Sequence, residues 1–222
     1  MAMNKCEPDR DCPSCQRLVD FRHHHRELNP DFHNAPVPTW YPDQTHGGMD
    51  AVRLMIIGLA PGLKGANRTG RPFTGDWAGD LLYATLCKFG FAEGRYAAEA
   101  DDTLKLRNCA ITNAVRCVPP QNKPVGAEIN ACRPYLVNTL DELKNLRVLV
   151  TLGKISHDST ARALGVRVAS VPFAHNAEFK MGQFTVLSSY HCSRYNTNTG
   201  RLSEEMFEEV FANVLKLVDE SP

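Results

Sequence analysis

The sequence has no apolar run long enough to cross a membrane, and its first residues, MAMNKCEPDRDC, are polar and show no signal-peptide pattern. It also has no excess of charge, because 25 basic residues balance 25 acidic ones. The chain-wide basic footprint of many nucleic-acid-binding proteins is therefore missing, although a local patch could serve instead. With no internal repeat or low-complexity segment, we expect one domain over residues 1–222, a monomer in the cytoplasm without a membrane partner.

Eight cysteines are many for a cytoplasmic chain, in which disulfides are rare. Cys12 and Cys15 are separated by two residues, a spacing that lets two thiolates face one metal ion or cluster. Cys117 and Cys132 form a second pair, with fourteen residues between them. From the spacing alone, zinc and an iron–sulfur cluster both remain open.

Residues 52–83 are the stretch around which the chain is organised. The apolar run of residues 52–59 predicts a buried strand that stops at Gly58 and Pro61, and apolar residues resume at helical spacing from Trp77. The long loop between them is rich in glycine, and Gly62 and Gly65 would let backbone amides approach a ligand closely. A loop at the carboxyl end of a buried strand is where open α/β sheets bind ligands.

Further strands are predicted at residues 106–115, 147–152 and 183–189, with helices at residues 77–90, 132–146, 156–164 and 203–219. This alternation predicts a three-layer α/β/α fold with a central four-stranded parallel sheet. Polar clusters fall at three strand ends, namely residues 61–76, Asn113 and residues 191–196. Because the carboxyl ends of parallel strands share one edge, we expect these clusters to meet there.

Several motifs, taken together and in this order, resemble the uracil-DNA glycosylase superfamily. The motifs are GLAPG at 58–62, NRTGR at 67–71, FTGD at 73–76, TN at 112–113, HCSRYN at 191–196 and TGR at 199–201. Within the superfamily, the chain most closely resembles the iron–sulfur branch called family 5 or type B. The resemblance implies a DNA repair glycosylase associated with the nucleoid. Such an enzyme flips uracil and related damaged bases out of double-stranded DNA and hydrolyses the N-glycosidic bond, which leaves an abasic site.

The resemblance also implies a [4Fe–4S] cluster held by four cysteines. By position these are Cys12, Cys15, Cys117 and Cys132. Cys6 lies close enough to Cys12 in the sequence to be an alternative ligand.

Chemistry and resemblance together suggest roles for the residues at the strand ends. We expect Phe73 to stack on the flipped base and the Asn113 amide to pair with its O4 and N3–H. His191 would donate to O2 of the leaving base, with help from the backbone at Ala60 and Gly62.

The resemblance places Leu59 and Ala60 where other branches have a polar or acidic residue, and the nearest acid in the loop is Asp76. We expect it to position the attacking water or to stabilise the cationic sugar. The competing interpretation is a helix N-cap, because aspartate is favoured at that position.

Four further residues would hold the DNA. The resemblance implies that Tyr195 enters the vacated base stack and that Arg68, Arg194 and Arg201 contact phosphates.

Other interpretations remain open from the sequence. One is a non-catalytic nucleic-acid-binding module stapled by zinc or a cluster. A nucleotide-binding enzyme is disfavoured because the G-x-G-x-x-G and G-K-[ST] patterns are missing. Leu59 stands where the neighbouring family 4 has an acid, and the basic insert of a DNA-crosslinking branch is missing after Gly62. The apolar first motif predicts a pocket that accepts more than uracil.

Overall fold

The computed structural model of this protein describes residues 6–219, and its centre is a five-stranded sheet in the order β4-β1-β5-β7-β6. The strands are β1 (Leu54–Gly58), β2 (Ala92–Glu93), β3 (Lys105–Leu106), β4 (Cys109–Asn113), β5 (Val148–Leu152), β6 (Ala177–Met181) and β7 (Phe184–Ser189). The α-helices are α1 (Gln16–Leu28), α2 (Ala66–Thr69), α3 (Trp77–Lys88), α4 (Gly126–Glu142), α5 (Lys154–Ala163), α6 (Arg194–Asn198) and α7 (Glu204–Asp219). Short 3-10 turns cover Gln44–His46, Gly48–Ala51, Pro120–Asn122 and Val168–Ser170.

The four predicted parallel strands are confirmed as β1, β4, β5 and β7. Their sequences are continuously apolar because both faces of the sheet are covered. Leu54 and Ile56 of β1 pack into a core with α3 and α7, whereas Met55 and Ile57 pack into a second core with α4 and α5. In this register Gly58 pairs with Asn113, so two strand ends that carry predicted site residues are adjacent.

Two sets of strands were not predicted. Strand β6 adds an antiparallel edge next to β7, and strands β2 and β3 form a separate two-stranded hairpin. Strand β6 alternates partly buried and exposed positions over only five residues, a pattern too short to stand out from a loop. Helix α4 also begins at Gly126, six residues before Cys132. Within residues 6–219, no helix is long and apolar enough to span a membrane.

Arg71 fixes the glycine-rich loop that follows β1. Its guanidinium donates two hydrogen bonds of 2.8 Å to the Asp102 carboxylate and one of 2.7 Å to Thr74 Oγ1. It also lies over the Trp40 ring, 4.5 Å from the ring centroid. Both charged side chains are almost completely buried, so each depends on the other for compensation of its charge.

An Arg71→Ala variant should lose about 3–5 kcal/mol of unfolding free energy, because it leaves the Asp102 carboxylate buried and unpaired. At about 2–4 °C per kcal/mol for a chain of this size, the midpoint of thermal unfolding should fall by roughly 6–20 °C. Differential scanning calorimetry measures this. The matched control is Arg107→Ala, which breaks an exposed pair with Glu93 and should unfold near the wild-type temperature. Equal midpoints for the two variants would contradict the anchoring role.

Candidate active site

A cavity of about 370 Å³ opens at the edge of the sheet where β1, β4 and β7 end. The residues lining it are Leu59, Ala60, Gly62, Ala66, Phe73, Asp76, Trp77, Ala78, Asn113, Asn122, His191, Ser193 and Arg194. The cavity therefore brings together seven of the predicted site residues, which are Ala60, Gly62, Phe73, Asp76, Asn113, His191 and Arg194. The parallel topology explains this convergence, because three loops leave the sheet on the same side.

Gly58 is the platform on which two of these side chains pack. A Cβ atom at Gly58 would lie 2.4 Å from Asn113 Oδ1 and 2.6 Å from Phe73 Cζ. Phe73 has φ of 52°, a left-handed conformation that is costly for an aromatic residue and is typical of functional sites. Its ring stacks on His191, with centroids 5.9 Å apart and 29° between the planes. The strand end thus presents an amide and an aromatic face side by side.

The Asp76 carboxylate sits in a recess between two glycines. A Cβ at Gly65 would lie 2.5 Å from Asp76 Oδ2, and one at Gly62 would lie 3.0 Å away. Asp76 occupies the N-cap position of α3 but makes no side-chain capping hydrogen bond, and Oδ1 is buried without a partner within residues 6–219. Burial raises the pKa of Asp76, with the amides of the first helical turn acting against this rise. A carboxylate in a cavity wall with one buried oxygen that lacks a partner can hold a water molecule or offset a positive charge.

His191 follows β7 and forms part of the cavity wall. Its carbonyl oxygen accepts a 2.8 Å hydrogen bond from Asn196 Nδ2, which fixes the loop. Its Nδ1 atom is buried and has no hydrogen-bond partner among the described residues. Burial lowers the pKa of His191 from 6.5 to about 4, so the imidazole is neutral at pH 7. A neutral imidazole carries one N–H and can donate a hydrogen bond to a ligand.

The depressed pKa of His191 predicts a pH-dependent part of the stability. The neutral ring contributes fully above pH 6.5, and this contribution is lost as the pH falls towards about 4. The loss approaches about 3 kcal/mol, because a tenfold difference in proton affinity between the folded and unfolded states corresponds to about 1.4 kcal/mol. Urea unfolding measures the fall in unfolding free energy between pH 7 and pH 4. This fall should be about 3 kcal/mol smaller in a His191→Gln variant than in the wild type. Replacement of the exposed His23 by glutamine is the control, and a wild-type pH response in His191→Gln would refute the prediction.

The other three predicted DNA-binding residues lie outside the cavity lining. Arg68 donates hydrogen bonds of 2.8 and 2.7 Å to the Glu99 carboxylate, so its guanidinium is already paired within the protein. Arg201 lies over the Tyr190 ring, 4.6 Å from its centroid. Tyr195 is 71% exposed on α6. Their roles in DNA binding stay predictions.

Sequence reasoning did not assign three polar or aromatic residues of the cavity lining, namely Trp77, Asn122 and Ser193. Asn122 ends a 3-10 turn in which Gln121 and Asn122 have φ of 55° and 56°. This strained turn carries no periodic signal, so the path of the loop into the cavity could not be foreseen. Ser193 has a structural role, because its hydroxyl accepts a hydrogen bond from the Asn196 amide and caps the N-terminus of α6.

The four predicted cysteine ligands line a second, smaller cavity between α1, α4 and the loop after β4. These are Cys12, Cys15, Cys117 and Cys132. The Arg116 amide donates a 3.3 Å hydrogen bond to Cys132 Sγ, and Arg22 Nη1 lies 3.8 Å from Cys117 Sγ. Arg22 Nε is buried without a partner among the described residues. Donors that face sulfur atoms are typical of iron–sulfur sites, so these residues fit such a group.

Within residues 6–219, no three cysteine, histidine or acidic side chains are close enough to share one metal ion. The choice between zinc and an iron–sulfur cluster therefore stays a prediction. Cys6 is not part of this cavity, and its Sγ donates a 2.6 Å hydrogen bond to Glu142.

Comparisons with known proteins agree with this arrangement. A family model described as the uracil DNA glycosylase superfamily matches residues 46–215. The type-5 uracil-DNA glycosylase of Thermus thermophilus is 40% identical over 207 residues, which cover 93% of each chain. The type-5 enzyme of Mycobacterium leprae is 37% identical over 93% of this chain and 91% of its own.

A type-4 relative matches less of the chain. The type-4 uracil-DNA glycosylase of Sulfurisphaera tokodaii is 30% identical over 73% of this chain and 70% of its own. The resemblance of the strand-end motifs is thereby confirmed: the chain belongs to the uracil-DNA glycosylase superfamily, in the family of its type-5 members.

Proposed function

We propose that this protein is a uracil-DNA glycosylase that removes uracil and related damaged bases from double-stranded DNA. The observation that carries the proposal is the convergence of Phe73, Asn113, His191 and Asp76 on one cavity. Its volume of about 370 Å³ falls within the range of small-molecule sites, roughly 300–1,000 Å³. A base in such a cavity must leave the DNA stack, at a cost of about a few kcal/mol.

The flipped base is recognised by Phe73 and Asn113, which pack against Gly58 at the end of β1. The Phe73 ring stacks on the base, and the Asn113 side chain offers both a donor and an acceptor to O4 and N3–H of uracil. Asn113 is 3% exposed, so its amide has little access to water. A base that hydrogen-bonds to this amide would replace the hydrogen bonds to water that burial removes. Backbone groups at Ala60 and Gly62 complete the contact.

Hydrolysis then separates two opposite charges. The C1′–N1 bond breaks with its electron pair on the base, and a water oxygen bonds to C1′ of the cationic sugar. The proton that this water loses neutralises the uracil anion, so the products are free uracil and an abasic sugar. Neutral His191 donates a hydrogen bond to O2 of the leaving uracil anion, as in an oxyanion hole. The Asp76 carboxylate orients the water and offsets the positive charge of the sugar.

A [4Fe–4S] cluster on Cys12, Cys15, Cys117 and Cys132 fits the second cavity. Once bound, it would supply thiolate cross-links between the segment before α1 and residues 117–132, which include the start of α4. This stretch carries Asn122 to the active-site cavity, so the cross-links would order one wall of the active site.

The remaining parts of the proposal concern DNA and cell compartment. Arg194 at the cavity, with Arg68 and Arg201 farther out, would hold phosphates, and Tyr195 would enter the vacated stack. The apolar Leu59 and Ala60 leave the pocket open to bases other than uracil. We propose a monomer of the cytoplasm, associated with the nucleoid.

The test is incubation of the purified protein with a duplex that contains one uracil. The proposal predicts free uracil and an alkali-labile site at that position, and neither product from the matched thymine duplex. Binding to the uracil duplex without cleavage would instead identify a non-catalytic module and contradict the proposal.

A Gly58→Ala variant should lose about 10²-fold in the rate of uracil release, because its Cβ would push Asn113 and Phe73 out of position. Overpacking should also lower stability by about 1–3 kcal/mol. Single-turnover kinetics and thermal unfolding measure the two effects. Gly126→Ala is the control, since a Cβ at Gly126 meets no atom within 4 Å. A fully active Gly58→Ala variant would contradict the role of this platform.

A further inference from the structure

Trp77 is an exposed aromatic residue at the mouth of the active-site cavity. It is the first residue of α3, lines the cavity next to Asp76 and is 46% exposed. Tryptophan is enriched at binding surfaces, because it combines a large apolar ring with a polar N–H. The catalytic roles proposed above do not use it.

Two contacts hold the Trp77 ring in place. Its Nε1–H donates a 3.1 Å hydrogen bond to Thr197 Oγ1 of α6. The Arg194 guanidinium carbon lies 5.2 Å from the centroid of the ring. The side chain is therefore ordered before any ligand arrives, which lowers the entropic cost of binding to its surface.

The position of the ring suggests which part of DNA it meets. A flipped nucleotide occupies the cavity, so the strand on either side of it must pass over the mouth. Every base has a flat π-face, and stacking on an ordered aromatic ring is a general way to hold an unpaired or distorted strand. Arg194 beside the ring would hold the phosphate of the same strand.

We infer that Trp77 stacks on the base adjacent to the flipped nucleotide, on the same strand. This inference rests on the proposed glycosylase function, because it requires a nucleotide in the cavity. It assigns Trp77 to substrate binding through an apolar contact, in contrast to the electrostatic contact of Arg194.

The test combines protein variants with modified DNA. The target nucleotide is 2′-fluorinated deoxyuridine, whose fluorine disfavours the cationic sugar and so prevents turnover. Three duplexes are compared: one with all other bases present, one without the 5′ neighbouring base and one without the 3′ neighbouring base. Affinities are measured for the wild type, Trp77→Ala, Trp77→Leu and Trp77→Phe over a range of salt concentrations.

Trp77→Ala and Trp77→Leu should bind the complete duplex about 5- to 150-fold more weakly, the effect of losing one base stack. On one of the two duplexes that lack a neighbouring base, the Trp77 variants and the wild type should bind with nearly equal affinity, because the stacking partner is missing. Trp77→Phe should retain most of the affinity. The slope of log affinity against log salt should be unchanged in the Trp77 variants, whereas Arg194→Ala should reduce it by about one.

An equal loss on all three duplexes, or no loss at all, would overturn the inference. Trp77→Leu keeps an apolar side chain, so it tests the stacking even if the alanine variant folds poorly. Failure of the proposed function is a separate result, because the wild type would then release no uracil from the unmodified duplex.

Discussion

Replacement of Asp76 by asparagine should lower the single-turnover rate of uracil release by about 10²–10⁴-fold. The substitution removes the negative charge but keeps the shape of the side chain in its recess between Gly62 and Gly65. DNA affinity should change little, because the carboxylate acts on the attacking water and the sugar cation rather than on the bound DNA. A loss confined to the chemical step distinguishes this role from that of a helix N-cap.

The pH dependence of the same step provides a second readout. Asp76 must be ionised to act, and burial raises its pKa, so the wild-type rate should fall as the pH drops through this raised value. In Asp76→Asn this acid limb should disappear. Asp141→Asn, which replaces an exposed acid on α4, is the control and should retain the wild-type rate and profile. Equal losses of rate and DNA affinity in Asp76→Asn would argue against the catalytic role.

Replacement of Cys117 by serine should remove the proposed cluster and strongly destabilise the protein. Wild-type protein purified without oxygen should be brown, absorb at about 400 nm and contain about four irons per chain. The variant should lose this absorption and its iron. Loss of a native cross-link costs about 2–5 kcal/mol in small domains, which corresponds to a fall of roughly 4–20 °C in the unfolding midpoint.

Cys6 supplies a matched control for the cluster. Cys6 Sγ donates a hydrogen bond to Glu142 and does not line the cavity of the four cysteines. The Cys6→Ser variant should therefore keep the iron content, colour and stability of the wild type. Loss of the cluster in Cys6→Ser would show that Cys6 is a ligand. Colourless wild-type protein that binds one zinc would contradict the cluster itself.

The sequence predicted the site best where function depends on strand ends. Gly58 and Asn113 end two apolar strands, and parallel pairing brings them into register whatever the loops do. Residues on loops were harder to place. Asn122 reaches the cavity through two left-handed residues that no periodic pattern reveals.

The arginines show a second limit of sequence reasoning. The motifs predict a phosphate contact for both Arg68 and Arg194, but Arg194 lines the cavity and Arg68 does not. Arg68 pairs with Glu99, which lies 31 residues away in the sequence. This pairing depends on how the segment between β2 and β3 folds back towards α2, and no local sequence pattern predicts it.

In the proposed reaction, one cavity both reads the flipped base and cleaves its bond. A crystal structure of Asp76→Asn bound to a uracil-containing duplex tests it most directly. We predict that uracil lies in the cavity, stacked on Phe73, with the Asn113 amide on O4 and N3–H and His191 within hydrogen-bond distance of O2. Uracil that remains stacked in the duplex, or that binds outside this cavity, would contradict the account.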